Sequence, residues 1–450
     1  MSSLATIAAI ATAPGESALA VIRISGPGAF SIARGLGALG HEVRTHVARV
    51  RTLKVGTDLL DQALVLPFAG PRSFTGEDVV ELHVHGGRVT PQRVLDAVFA
   101  GGALPAEPGE FSRRALINGK LDLVQVEAIA DVIHARSVSA QRLAQAHLAG
   151  SLSAEIDRLK AALFLVVTLV EAAIDFSSEE HVYSISAEEI IEGVQPVVTG
   201  VERLLSTYDA GRLRQEGVTV ALIGRPNAGK SSLLNRFLRE DRAIVTEIAG
   251  TTRDTIQETI ALHGVHYHLI DTAGLRESSD AVEALGVERS KRALESCDIA
   301  LVVVAADDEA GPAELIELAD KRPTGVVVNK VDLDCDPSWA GALDCRVACV
   351  SLTAGTGLEA LEPLLEGLAQ DAGLGAPAET MLLTRERHRE LLRSVRDDLA
   401  RAIDAAEMDV GHELVAFDLR AGLQGLGGLT GSITDDDILN RIFGDFCVGK

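Results

Sequence analysis

The chain is poor in aromatic residues, poor in cysteine and short of positive charge. Phe, Trp and Tyr make up 3% of its 450 residues, so a core must come mainly from Ala, Leu, Val and Ile, within an apolar share of 47%. Five Cys stand at scattered spacings. They form neither a zinc pattern nor a disulfide framework, which points to a reducing, cytoplasmic setting. Lys and Arg number 42 against 65 Asp and Glu, a net charge of −23. Such a chain does not bind nucleic acid or an anionic membrane over its whole surface. RNA contact needs a local basic patch or a partner that supplies one. No apolar run reaches the length of a membrane span; the nearest, 163–170, is bracketed by Lys160 and Glu171 and reads as a buried helix. The first fourteen residues have no basic stretch, so no secretory leader is expected.

The length suits two to four domains, and the texture of the sequence changes along it. Strands at 18–25, 62–68 and 78–85, with a helix closing at 96–100 and Gly/Pro punctuation between, give an α+β domain over 1–119. From 120, Leu123, Val126, Ala130 and Ile133 recur at helical spacing. Long helices are expected at 154–176 and 187–208, with Ser186 an N-cap ahead of Glu188 and Glu189. From 216, apolar strands at 218–223, 267–270, 299–304, 325–328 and 347–350 alternate with helices, as in a parallel sheet covered on both faces. From 377 to 450 the pattern is helical again. The simplest architecture is multidomain: an α+β N-terminal domain, an all-α helical domain in two parts (120–215 and 377–450), and an α/β P-loop domain (216–376) inserted between them.

The inserted segment carries nucleotide chemistry. Gly224-Arg225-Pro226-Asn227-Ala228-Gly229-Lys230-Ser231 is G-x-x-x-x-G-K-S between a strand and a helix that includes Ser232. Backbone N–H groups of such a loop surround phosphates, Lys230 reaches the outer phosphates and Ser231 ligates Mg²⁺. Asp271-Thr272-Ala273-Gly274 follows the next strong strand, where Asp271 supports Mg²⁺ through water and Gly274 offers N–H to the γ-phosphate. Asn329-Lys330-Val331-Asp332 names the base. Asp332 accepts two hydrogen bonds from guanine; adenine has neither donor, and the loss is worth roughly 10³-fold in affinity. Asn329 ties the loops, Lys330 lies over the base, and Ser351-Leu352-Thr353 supplies backbone to its edge. Thr251-Thr252-Arg253 reads as a switch, with Thr252 completing the Mg²⁺ shell and Arg253 counted among the candidate catalytic groups. Leu275 stands where many GTPases place a water-orienting Gln. Water must then be held by another group, of which Glu283 is one, or hydrolysis is slow. A monovalent cation at Asn227 could supply the charge of an arginine finger.

Phe74-Thr75-Gly76-Glu77-Asp78, Gly109-Glu110-Phe111-Ser112, Asn118-Gly119-Lys120-Leu121-Asp122-Leu123 and the terminal Phe446-Cys447-Val448-Gly449-Lys450, read with the G motifs, resemble the MnmE (TrmE) family of tRNA-modification GTPases over essentially the whole chain. The resemblance implies that the N-terminal domain binds a tetrahydrofolate derivative (5-formyl- or methylene-tetrahydrofolate) and forms the homodimer. It implies a complex with a flavoprotein, MnmG (GidA), that installs an aminomethyl or carboxymethylaminomethyl group on C5 of the tRNA wobble uridine. By the same resemblance the potassium site falls on Asn227, Thr246, Ile248 and Thr251, within the 246–251 loop that also holds Glu247, Ala249 and Gly250. Glu283 becomes the water-orienting carboxylate, Mg²⁺ falls on Ser231 and Thr252, and folate contacts fall on Arg23, Glu81, Lys120 and Lys450.

Other candidates are weighed from the residues themselves. Arg23 and Glu81 lie mid-strand, where charged residues usually face solvent. His83 and His85 share a strand face and read as a surface pair more than as half a metal site, with no carboxylate or thiol cluster nearby. Cys447, beside Lys450, is a candidate catalytic thiol. The run Arg385, Arg387, His388, Arg389, Arg393 and Arg396 reads as a solvated helix face paired with Glu386 and Glu390, more than as an RNA contact. Two other functions share such a G domain: a ribosome-assembly switch, and a folate-dependent one-carbon enzyme in which GTP is a regulator.

Overall fold

The computed structural model describes residues 5–175, 185–239, 257–271, 293–308, 311–319, 322–333, 338–375, 381–431, 442–443, 446 and 449. The contacts fall into two units, Met1–Ala130 with Leu148–Asp157 and Leu426–Lys450, and Asp131–His147 with Arg158–Gly425. The first unit therefore takes in more of the chain than the segment 1–119.

Alternating burial builds the sheet of the first unit. Its strands are β1 (Ile7–Ile10), β2 (Leu19–Ser25), β3 (Arg49–Val55), β4 (Asp58–Phe68), β5 (Val79–His85) and β6 (Leu104–Pro105), in the order β3-β4-β5-β2-β1-β6. Only β1 and β6 pair in parallel. Successive side chains point to opposite faces. Ile22, Ile24, Val65, Val80, Leu82 and Val84 form one core with Ile32 of α1 (Ala29–Gly35) and Val94 and Val98 of α2 (Thr90–Ala100). The other face carries Arg23, Glu81 and His83. After α3 (Glu110–Ile117), Asp122 and Gln125 cap each other's backbone N–H groups at 2.9 and 3.0 Å and start α4 (Leu123–His134). Phe443 and Phe446 pack with Val126 and Ile129 of this helix.

In the second unit the helices follow from caps. After α5 (Val138–Leu148) and α6 (Ser151–Asp175), Ser186 and Glu189 form the expected capping box at the start of α7 (Ala187–Ser206). The single helix expected over 187–208 is broken at Thr207. Its hydroxyl donates to the Leu204 carbonyl at 2.6 Å and accepts the Leu383 N–H at 3.0 Å, and the chain restarts as α8 (Tyr208–Glu216).

The second sheet is made of β7 (Val218–Ile223), β8 (Gln257–Leu262), β9 (Val265–Asp271), β10 (Ile299–Ala305), β11 (Thr324–Asn329) and β12 (Arg346–Cys349), ordered β12-β11-β10-β7-β9-β8. It is parallel, as the unbroken apolar runs predict, apart from the β8–β9 hairpin. That hairpin turns at His263 and Gly264, with φ of 47° and 80°, as a two-residue turn with positive φ at both positions. Every residue of β10 is buried. Leu222, Leu301 and Val303 pack on one face with Leu233 of α9 (Lys230–Arg239) and Leu365 of α11 (Leu361–Ala369), which follows the short α10 (Ala313–Leu318). Ile223, Val302 and Val328 pack on the other. Helices α12 (Glu386–Glu407) and α13 (His412–Thr430) complete the described helical part, with α12 packed on α7. The chain thus combines an α+β N-terminal domain, a helical domain and a P-loop α/β domain. Among the described residues no helix is long and apolar enough to cross a membrane.

Candidate functional site

The carboxyl end of β7 runs into the loop 224–229, which turns with positive φ at Asn227 (62°) and Gly229 (110°) before α9. A side chain at Gly229 would collide with its surroundings: a Cβ there would stand 2.2 Å from Asn329 Nδ2. The Lys230 ammonium folds back into the loop and donates to the carbonyls of Gly224 and Arg225 at 2.7 and 2.9 Å. Neutral carbonyls are weaker partners than phosphate oxygens, so this arrangement fits a nucleotide phosphate as an incoming acceptor. Ser231 and Ser232 stand exposed on the first turn of α9.

Asn329 ends β11 almost fully buried. Its Nδ2 donates to the Ala228 carbonyl at 3.0 Å, and its Oδ1 accepts the Leu352 N–H at 3.2 Å. It thus links the phosphate-type loop to the 351–354 turn, where Ser351 Oγ accepts the Ala354 N–H at 3.0 Å. Lys330 has a φ of 66°, and Asp332 is exposed beyond it. Ala228, Gly229, Lys230, Asn329 and Leu352 are therefore in contact, or one residue from it, at the carboxyl edge of the parallel strands, where open α/β sheets place ligands. Asp271 is the last residue of β9, opposite Leu222 on β7. Thr246, Glu247, Ile248, Ala249, Gly250, Thr251, Thr252, Arg253, Thr272, Ala273, Gly274, Leu275 and Glu283 lie outside the described residues.

The first unit assembles a second cluster from its sheet face. Arg23 of β2 and Glu81 of β5 are direct cross-strand neighbours. Two guanidinium nitrogens reach Glu81 Oε1 at 2.9 and 3.0 Å, and both side chains are only 17% exposed. The solvent-facing expectation for these two is thus corrected. The Arg23 guanidinium lies 5.4 Å from the Phe74 ring and 5.5 Å from the Phe111 ring, and donates to the Gly449 carbonyl at 3.3 Å. Burying a charge between rings is tolerable because the carboxylate and the ring faces both compensate it.

The loop that carries Phe74 is held from beneath. Ser25 Oγ bonds Thr75 Oγ1 and Glu77 Oε2, both at 2.7 Å. Arg114 joins Glu77, Glu110 and the Ala5 carbonyl. Asn118 donates to the Thr75 carbonyl at 2.7 Å, and the stem of Lys120 lies against Gly76. Lys120 therefore flanks the same loop as Phe74, but its head is exposed and no contact joins it to Arg23 or Glu81. Cys447 and Lys450 lie outside the described residues. No sequence pattern announces the burial of the Arg23–Glu81 pair or its two aromatic walls.

The remaining candidates resolve differently. Carboxylates do stand beside both histidines: His83 Nε2 lies 3.4 Å from Glu81 Oε2, and His85 Nδ1 lies 2.8 Å from Asp61 Oδ1. Burial raises the Asp61 carboxyl, but hydrogen bonds from His85 and Gln62 outweigh it and hold the group below its usual range. Among the described residues no three His, Cys, Asp or Glu side chains form a metal site. In the arginine run, Arg385 pairs with Asp131 at 2.6 Å, and Arg389 pairs with Glu386 and lies 4.2 Å from the Tyr208 ring centre. Burial, with the Glu386 bond, pushes the Tyr208 hydroxyl up to about 12. His388 is buried, so this helix face is only partly solvated. Burial also pushes the Cys297 thiol up to about 11, which suits a packing role. Cys345 is half-buried and Cys349 exposed.

Comparison with known proteins adds the family. Residues 6–120 match the model described as "GTP-binding protein TrmE N-terminus", and residues 123–447 match "MnmE helical domain". A Moorella thermoacetica protein named tRNA modification GTPase MnmE is 41% identical over 465 aligned residues, covering 99% of each chain. The Aquifex aeolicus protein of that name is 39% identical, again with 99% of each chain covered. Among solved structures, the G domain of the T. maritima FeoB iron transporter matches with a TM-score of 0.27 and 25% identity, covering 34% of this chain and 99% of its own. With both family models matched and near-complete coverage of its relatives, the chain belongs to the MnmE family of tRNA modification GTPases.

Proposed function

We propose that the chain is a potassium-stimulated GTPase that acts with the flavoprotein MnmG to install an aminomethyl or carboxymethylaminomethyl group on C5 of the tRNA wobble uridine. The observation that carries the GTPase half is the contact set around Lys230 and Asn329, which brings the phosphate loop and the base-type loop to one sheet edge. Lys230 would meet the outer phosphates, Ser231 and Thr252 would hold Mg²⁺, and Asp332 would select guanine. Asn227, with Thr246, Ile248 and Thr251, would hold potassium, and Glu283 would orient water, with Arg253 nearby in the switch. Adding charge beside the phosphates at a fixed point lowers the barrier without reorganisation at the moment of reaction.

The Arg23–Glu81 cluster supports the folate half. A half-buried carboxylate suits the N–H edge of a pterin, and Phe74 and Phe111 offer apolar walls to a flat ring. Lys120 and Lys450 would meet the anionic tail, and the folate supplies the one-carbon unit. Cys447 is the candidate thiol of the uridine chemistry. The working domain boundaries are 1–119 for folate binding and dimerisation, 120–215 and 377–450 for the helical domain, and 216–376 for the G domain, with the cytoplasm as the setting.

GTP turnover in matched KCl and NaCl, across protein concentrations, tests the first half. Stimulation by potassium that rises with concentration is expected; equal slow rates in both salts overturn the potassium mechanism and favour a switch activated by a partner. For the thiol, Cys447→Ser should abolish wobble modification and spare GTP hydrolysis, and full modification by that variant removes the chemical role.

A further inference from the structure

The acidic chain carries one stretch of opposite sign. Between residues 31 and 57 stand Arg34, Arg44, Arg49, Arg51 and Lys54 against the single acidic residue Glu42, in a protein of net charge −23. The fold concentrates them at the β3 edge of the first sheet. Arg49 and Arg51 are two residues apart on this edge strand, so they share a face, with Cα atoms about 7 Å apart. Their register partners on β4 are Val65 and Ala63, so both arginines point to the helix side of the sheet. There, with Arg44 and the lone carboxylate Glu42 from the preceding loop, they line an open depression of about 280 Å³, including the space open to solvent, that Val65 and Pro67 floor, so three cations face one anion. None of Arg44, Arg49 and Arg51 has an ion-pair partner among the described residues, whereas Arg385 at the start of α12 and Arg389 and Arg396 on it are all paired.

Charge on an edge strand also deters strand addition. That purpose accounts for one exposed cation on β3. It does not account for a third arginine brought in from the loop to line the same depression. Guanidinium groups present a fork that matches phosphate oxygens. A concave rim of them fits a phosphate ridge, whereas a flat bilayer is met by a flat or convex surface.

The geometry points to the β3 edge, centred on Arg44, Arg49 and Arg51, as a docking surface for the phosphate backbone of the tRNA substrate. This rests on the tRNA reading above and gives the acidic chain a local contact of its own. With three arginines engaged, binding by this chain is weak and falls steeply with salt, while the sequence of the RNA is read elsewhere.

The test is fluorescence anisotropy of an unmodified tRNA transcript with the full-length chain between 50 and 200 mM KCl. The triple variant R44A/R49A/R51A is compared with R393A/R396A/R401A, which removes the same charge from α12. The first triple should weaken binding roughly tenfold or more at 50 mM KCl and lower the log–log salt slope by about 2; the second should leave the slope in place. If a melting curve finds the first triple unfolded, R44A alone, on the loop, should lower the slope by about 1. Undetectable binding by the wild-type chain, equal losses in both triples, or arginine-dependent binding to phosphatidylglycerol vesicles but not to tRNA would each overturn the surface. Wobble-nucleoside analysis of cells lacking the chain separates the two levels. Intact modification there removes the tRNA reading itself, whereas lost modification with unimpaired tRNA binding by the triple removes only the surface.

Discussion

The two sheets of this chain make sites in opposite ways. The sheet of the second unit is parallel and buried, so its strands contribute little but apolar contact, and its candidate site hangs from the loops at their carboxyl ends. The sheet of the first unit is mostly antiparallel with one face largely free of its main core, and its candidate site is built from residues in the middle of strands. Ile223, Gly224 and Lys230 lie within one short stretch of sequence. Arg23, Phe74 with Glu81, Phe111 and Gly449 come from four separate stretches. A site on consecutive loops is carried by contiguous motifs; a site on a sheet face is carried by register.

The comparison can be broken at either sheet. The largest effect is expected at the base-type loop: Asp332→Asn should cost GTP roughly 10³-fold in affinity, read by calorimetry, while an unchanged affinity would remove Asp332 from base selection. Gly229→Ala combines a positive φ with a Cβ 2.2 Å from Asn329 Nδ2, so it should destabilise the domain by about 1–3 kcal/mol and weaken nucleotide binding with it. A melt and a binding curve both like wild type would contradict the close approach.

At the first sheet, Arg23→Met leaves Glu81 half-buried without its partner and should lower stability by about 1–3 kcal/mol, seen in the urea midpoint. A smaller effect should appear with pH. Burial holds the His266 imidazole below its usual pKa, and the ring bonds the Arg136 carbonyl. Because the unfolded chain takes up that proton first, stability should fall as pH drops below about 6.5, toward the lower folded pKa. His266→Gln should flatten that slope; an identical slope in the variant would assign it to other groups. Least of all, Arg346→Ala, which breaks an exposed pair with Asp371, should leave the melting temperature within error.

The same contrast explains what was legible in the sequence. Strand β7, the turn after it and the strand before Asn329 stand where the apolar runs and glycines place them, because a doubly covered parallel strand has no second face to mix into its pattern. β8 escaped because it is an edge strand with mixed polarity, and β3 because its arginines mask the alternation. The break at Thr207 depends on a bond to Leu383, far along the chain. Ser186 was readable because a capping box is local. Arg23 and Glu81 were readable as strand residues but not as buried ones, since their burial needs Phe74, Phe111 and Gly449 to arrive from elsewhere. The arginines at and on α12 form a dense run, yet Arg385, Arg389 and Arg396 are paired; those of β3 are spread thinly in sequence and gathered by the fold.

The most direct test of a two-site account is Glu81→Gln in the full-length chain, with GTP turnover measured in KCl and the tRNA wobble nucleoside measured by mass spectrometry in cells that depend on the variant. The account predicts GTP turnover close to wild type together with loss of the wobble modification. Full modification with this variant would contradict a functional site on the face of the first sheet.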